Sequence, residues 1–193
     1  MPEADYVALL GKAKASMDHG FSQVGKGLDP DSAQDEALMW LASRSIAIAS
    51  ALLLLGMHNH ANEAVPLLES LTGAALDMRW IVQEDGESRA RQLLSRRGGG
   101  WQGSWSAEDM RAKAEPLALA GLIDAAARLK RSHVFGNASG LPWAHRFSAL
   151  DEPGAAQAEL FRAAARALGH GLKALELRWP GYFQGSGILL SDP

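Results

Sequence analysis

The chain contains no cysteine. Disulfides, thiolate metal sites and cysteine nucleophiles are therefore excluded. Charge of one sign is also missing: the formal net charge is −3 and the pI about 6.1. Such a balance exerts no global pull on nucleic acid or an anionic membrane, so a polyanion would need a local basic patch. No apolar run approaches the about 20 residues of a membrane span. The most apolar one, Ile46 to Leu55, is flanked by Arg44, His58 and His60, and reads as a core helix. The opening MPEADYVALL carries early acids and no basic lead into an apolar run, so no secretory signal is expected. No segment alternates at strand period for more than a few residues, and no internal repeat is visible. A cytoplasmic protein without a membrane partner or a cofactor is the expectation.

What is present is helical pattern. Apolar residues make up 47% of 193 residues, enough for one ordinary globular domain. The stretch Asp35 to Gln83 holds two long Ala-, Leu- and Ile-rich runs around a short polar corner, Gly56 to Asn62. A corner that short folds the second helix back beside the first. In the first arm, Leu38, Leu41, Ser45, Ile48, Leu52 and Leu55 recur at helical spacing. Ile46 to Leu55 is apolar nearly all round, which places this arm at the centre with neighbours on several sides. Asp31 or Ser32 is expected to cap it. Pro66 keeps the second arm from starting much before Asn62. Gly73 in mid-helix suggests either a close helix approach or a tolerated defect.

The remaining helices are expected at Glu3 to about Val24, Glu87 to Arg97, from Ala107, then after Pro116 to about Val134, and Ala155 to Trp179. The last carries Leu160, Ala164, Leu168, Leu172, Leu175 and Trp179 as its stripe, and its alanines suit self-association. GGGWQGSW and FGNASGLPW read as loops, and residues 181–193 as a tail after a 1–180 bundle. The fold class is therefore all-α: an up-and-down bundle of five to seven helices around the long antiparallel hairpin.

Chemistry is thinly signalled. Arg128-Leu-Lys-Arg-Ser-His133 sets a two-point phosphate binder five residues from a group that exchanges protons near neutral pH. Arg128 and His133 are thus candidate catalytic residues for cleaving RNA through its 2′-hydroxyl. Lys130 and Arg131 are candidate RNA-binding residues. A basic last turn also simply offsets the helix dipole. His58, His60 and Glu63 cluster at the hairpin corner, without a third strong ligand at fixed spacing, so no metal site is assigned. Glu84, Asp85 and Glu87, followed by Arg89, Arg91, Arg96 and Arg97, read as a solvated face of weak ion pairs. Arg96 and Arg97 beside the glycine loop are a sharper phosphate alternative. Trp101 and Trp105 would anchor that loop or stack on bases. His145 and His170 are read as structural.

Three stretches carry a resemblance: ANEAVPLLESL from Ala61, WSAEDMRA from Trp105, and LKRSHVFG from Leu129. Their order resembles a bacterial helical family of unknown function, similar in outline to HEPN-type domains, whose mark is Arg, four to six residues, then His. Glu69, Gly73 and Leu129 depart from that pattern, where Arg, Glu and a polar residue are expected. The resemblance implies a metal-independent ribonuclease working across a homodimer, with Arg128 holding phosphate and His133 moving the proton. The reading preferred is a non-catalytic helical module in stress or phage defence that binds a protein or RNA partner, with the ribonuclease as its alternative.

Overall fold

The computed structural model describes residues 6–58, 61–97, 107–138 and 153–190. Among them are eight α-helices and no strands: α1 (Tyr6–Gln23), α2 (Ala33–Met57), α3 (Ala61–Ile81), α4 (Gly86–Arg97), α5 (Ala107–Ala114), α6 (Ala120–Ala138), α7 (Pro153–Arg178) and α8 (Ser186–Leu190). A 3₁₀ turn, Val24–Gly27, closes α1. The all-α bundle around the α2–α3 hairpin is thus as expected. Among the described residues the last segment adds a short helix, α8, that the sequence reading had as tail.

The chain pairings fix the directions of the bundle. Asp35 at the start of α2 meets Arg178 at the end of α7, and Gly56 at the end of α2 lies against Phe161 near the start of α7. These two helices are antiparallel. Tyr6 and Met17 of α1 meet Arg162 and Gly171 of α7 in the same order, so α1 runs with α7; α3, folded back along α2, does so too, with Met78 over Gly171. Lys130 of α6 bonds Glu69 of α3, and Ile123 shares an apolar cluster with Leu76, which makes α6 antiparallel to α3.

The core follows the sequence spacing. Leu38, Leu41, Ser45, Ile48 and Leu52 are all buried on α2, as are Leu10, Ala13 and Met17 on α1 and Leu68, Leu71, Ala74, Ala75, Met78 and Ile81 on α3. Each fully buried Leu, Ile or Met contributes about 1.5–3 kcal/mol. Ser45 is admitted because its hydroxyl donates to the Leu41 carbonyl at 2.8 Å, so no polar atom is orphaned.

Two expectations are corrected. α2 has its expected neighbours on several sides, α1, α3, α4 and α7, but the helix enclosed on most sides is α7. Besides its expected stripe, Phe161, Ala163, Ala165, Ala167 and Ala174 are buried, and α7 packs against α1, α2, α3, α6 and α8. Alanine and glycine let neighbours approach from any side, so its small residues serve packing within the chain. On α2, by contrast, Ser43, Ala47, Ser50, Leu54 and Met57 face solvent. The segment after Pro180 is tied down rather than trailing. Phe183 and Leu189 are buried, and Phe183 lies on Gly20, where a Cβ would overlap its ring. Ser186 donates from both its backbone N–H and its hydroxyl to Glu176.

Gly73 has open space around its Cβ direction, so no close approach explains it. Pro66 sits in the second turn of α3, which begins at Ala61. Its exposed position keeps the ring out of the core.

One end of the bundle is closed by a polar clasp. Ser32 caps α2, its Oγ accepting from the Asp35 N–H at 3.2 Å. Glu87 of α4 adds a second cap from across the fold, accepting from the N–H groups of Ala33 and Gln34 at 3.0 Å each and from the Ser32 hydroxyl. These bonds hold the Glu87 carboxyl below its usual range. The frayed carbonyls at the end of α3 are met in turn: Arg89 donates to Trp80 O and Gln34 to Ile81 O, both at 2.8 Å. Such orphan groups at helix ends demand partners. Glu87 and Arg89, read from sequence as part of a solvated charged face, have these specific tasks instead.

Candidate functional site

Helix α6 carries the residues nominated for RNA chemistry, and it continues to Ala138, four residues beyond the expected end. Arg128 and His133 are therefore both interior to one continuous helix. Five residues separate them, about 140° around the axis at 3.6 residues per turn. The Arg128 guanidinium is engaged by α7: Nε and Nη2 donate to Glu159 Oε1 at 3.2 and 2.8 Å. Lys130 is engaged by α3, with Nζ 2.8 and 3.0 Å from the two Glu69 oxygens. Both pairs are exposed and act as braces from α6 to its neighbours. The side chains of Arg131 and His133 lie outside the described residues. So do His60, Trp101, Trp105, His145 and the side chains of Asn62, Arg96 and Arg97.

His58 ends α2 in solvent and Glu63 is exposed on α3. Among the described residues no group of three or more His, Asp and Glu side chains is arranged to hold a metal ion.

A buried ion pair lies where α5 meets α3. Lys113 Nζ is 2.5 Å from Asp77 Oδ1, with side-chain exposures of 7% and 9%. The ammonium also stands 4.3 Å from the centre of the Trp80 ring, and Arg89 covers that ring at 5.0 Å. The aromatic face is thus flanked by two cations, an attraction worth about 0.5–2 kcal/mol per cation. Asp77 and Trp80 were visible in the sequence, yet Lys113 lies 36 residues away, and no spacing signal links them.

A second charged cluster joins α3 and α7. Arg79 is half-buried, and its Nε and Nη1 have no hydrogen-bond partner. Burial lowers its pKa. His170, one turn beyond Arg166 on α7, is pushed down to about 4 by burial first, then by the charges of Arg79 and Arg166. The imidazole is neutral at pH 7. The sequence reading of His170 as a lone structural residue missed this neighbourhood, because Arg79 comes from a helix 91 positions earlier.

A half-open cleft of about 420 Å³ lies between α1 and the C-terminal segment, lined by Ala15, Ser16, His19, Gly181, Tyr182 and Gln184. The outer face of α2 is the remaining feature. Leu54 is 58% and Met57 74% exposed. By length and composition alone, α2 is the one helix among the described residues that is apolar enough to cross a membrane.

Comparison of the chain with family models, curated proteins and solved structures finds no significant match in any of the three.

Proposed function

We propose that the protein is a non-catalytic helical interaction module that works as a homodimer, with the outer face of α2 lying between the two copies. One observation carries this reading: α2 turns a row of uncharged residues to solvent, Ser43, Ala47, Ser50, Leu54 and Met57. From 43 to 57 the row is about 21 Å long at 1.5 Å per residue. Its small residues lie toward one end and its large apolar residues toward the other. Two copies crossing antiparallel would set Leu54 and Met57 of each against Ser43 and Ala47 of the other, the self-complementarity that a two-fold interface requires. Leu54 and Met57, one turn apart and both exposed, are the large apolar side chains that such a contact would cover. The engagement of Arg128 by Glu159 and of Lys130 by Glu69 further supports a binding role over a catalytic one. A stress or phage-defence role in the cytoplasm goes with this reading.

Sedimentation velocity tests it, comparing the wild type with the double variant Leu54→Glu, Met57→Glu. The wild type is expected to sediment as a dimer and the variant as a monomer of unchanged far-ultraviolet circular dichroism. A wild type that stays monomeric at high concentration, or a variant that still dimerises, overturns the proposal. Co-sedimentation of the wild type with lipid vesicles would assign the face to a membrane surface instead. Cleavage of labelled RNA that His133→Ala abolishes would replace the module by the metal-independent ribonuclease.

A further inference from the structure

The cleft between α1 and the C-terminal segment is lined by polar side chains from two parts of the chain. Ser16 and His19 lie three residues apart on α1 and so share one face of that helix. Met17 and Gly20, beside them, are buried. Across the cleft the backbone takes positive φ at Gly181 (+93°) and at Gly185 (+100°). Between these two bends Phe183 is buried on Gly20, while Tyr182 and Gln184 on either side of it are exposed and line the cleft.

The walls are held in place. Phe183 fills the space a Cβ on Gly20 would need, Leu189 does the same at Gly169, and Ser186 is bonded twice to Glu176. A Cβ on Gly27 would stand 3.6 Å from the Tyr182 ring, and one on Gly185 would stand 3.6 Å from Ser16 Oγ. Three other helix serines, Ser45, Ser50 and Ser70, donate to the carbonyl four residues back. Ser16 makes no such bond. The side chains of His19, Tyr182 and Gln184 likewise have no hydrogen bond among the described residues.

We propose that this cleft binds a neutral sugar ring. Its volume of about 420 Å³ falls in the about 300–1,000 Å³ range of small-ligand sites. No lysine, arginine, aspartate or glutamate among the described residues lines it, so a phosphate or a metal ion meets no opposing charge. A hydroxyl, an amide, an imidazole and a phenol supply donors and acceptors together, which is what the hydroxyl groups of a sugar require. The Tyr182 ring supplies one apolar face for the C–H side of a pyranose. A nucleobase would have that single face to stack on and polar groups against its other side. The site uses α1 and the C-terminal segment and stands apart from the outer face of α2.

The test titrates the full chain with glucose, N-acetylglucosamine and lactose, with inorganic phosphate and adenosine as controls. The readout is the imidazole NMR signal of His19. His58, at the end of α2 that meets the start of α7, is the unaffected reference. At least one sugar is expected to move the His19 signal saturably, with a Kd of about 1 mM for so open a site. Lactose binding more tightly than both monosaccharides would identify a glycan as the source; otherwise the source is a free monosaccharide. Tyr182→Ala and Gln184→Ala, both at exposed positions, are each expected to weaken binding by about tenfold or more with unchanged circular dichroism. A His19 signal that none of the three sugars moves, either variant binding like the wild type, or adenosine or phosphate binding as tightly as the best sugar, overturns the proposal.

Discussion

Removing one partner of the Asp77–Lys113 pair is expected to be the most damaging single polar change in the bundle. The pair is almost fully enclosed, at 2.5 Å, and it ties α5 to α3. Asp77→Ala removes the carboxylate from the buried Lys113 ammonium, and the face of Trp80 is a weaker counterpart than an ionised carboxylate. Stranding a buried charge in this way costs about 3–5 kcal/mol, a large share of the roughly 5–15 kcal/mol that holds a domain together. Replacing both partners by apolar groups, Asp77→Leu with Lys113→Met, removes the desolvation cost with the attraction and is expected to fall within about 1 kcal/mol of the wild type, or above it. The wild type, Asp77→Leu, Lys113→Met and their double variant form a double-mutant cycle, read by urea unfolding followed by circular dichroism. A coupling of about 3 kcal/mol is expected from those principles. The Arg128–Glu159 pair is the internal control. It is exposed, so Glu159→Ala is expected to cost about 1 kcal/mol or less. If Asp77→Ala costs no more than Glu159→Ala, the pair is solvated and the docking of α5 on α3 is wrong.

Other expectations follow from packing and titration. Gly73→Ala, with open space around the new methyl, is expected to stabilise α3 by about 1 kcal/mol in the same urea assay. Gly56→Ala is expected to do the opposite, costing about 1–3 kcal/mol, because its Cβ would overlap the Phe161 ring. Ala118 lies in the left-handed region at φ +56°, so Ala118→Gly is expected to relieve about 1 kcal/mol of strain. His170 gives a pH dependence of defined sign. Its folded pKa of about 4 lies below the unfolded value of about 6.5, so the unfolded chain binds the proton more readily. Stability is then complete above pH 6.5 and falls as the pH drops toward 4, by about 2 kcal/mol after allowance for solvent at the partly open ring. His170→Gln is expected to flatten that interval in a series of urea titrations, and an unchanged slope would contradict the burial of the ring.

What the sequence shows clearly is whatever rests on period and size. Leu38 to Leu52 on α2 and Leu160 to Trp179 on α7 repeat at helical spacing, and their buried faces follow. Alanine blurs the reading, since it is compatible with either face. That is why α7 looks like a one-sided helix and is enclosed, whereas α2, rich in leucine, looks enclosed and has an open side. Contacts between residues distant in the chain leave no local mark. Glu87 capping α2, Phe183 resting on Gly20 and Lys113 reaching Asp77 each join segments whose meeting only the packed bundle decides. Of the residues nominated for chemistry, Arg128 and Lys130 were legible as a basic run, but the carboxylates that neutralise them stand on other helices.

The absence of cysteine allows one direct measurement on the α2 surface. Ser50→Cys places a single thiol midway along the exposed row, where a nitroxide label can be attached. Pulsed dipolar spectroscopy is expected to give a defined short distance between the two labels of a dimer, lost when Leu54→Glu and Met57→Glu are added. A wild-type background without dipolar modulation, or a distance that survives those two charges, would show that the face of α2 does not join two copies of this chain.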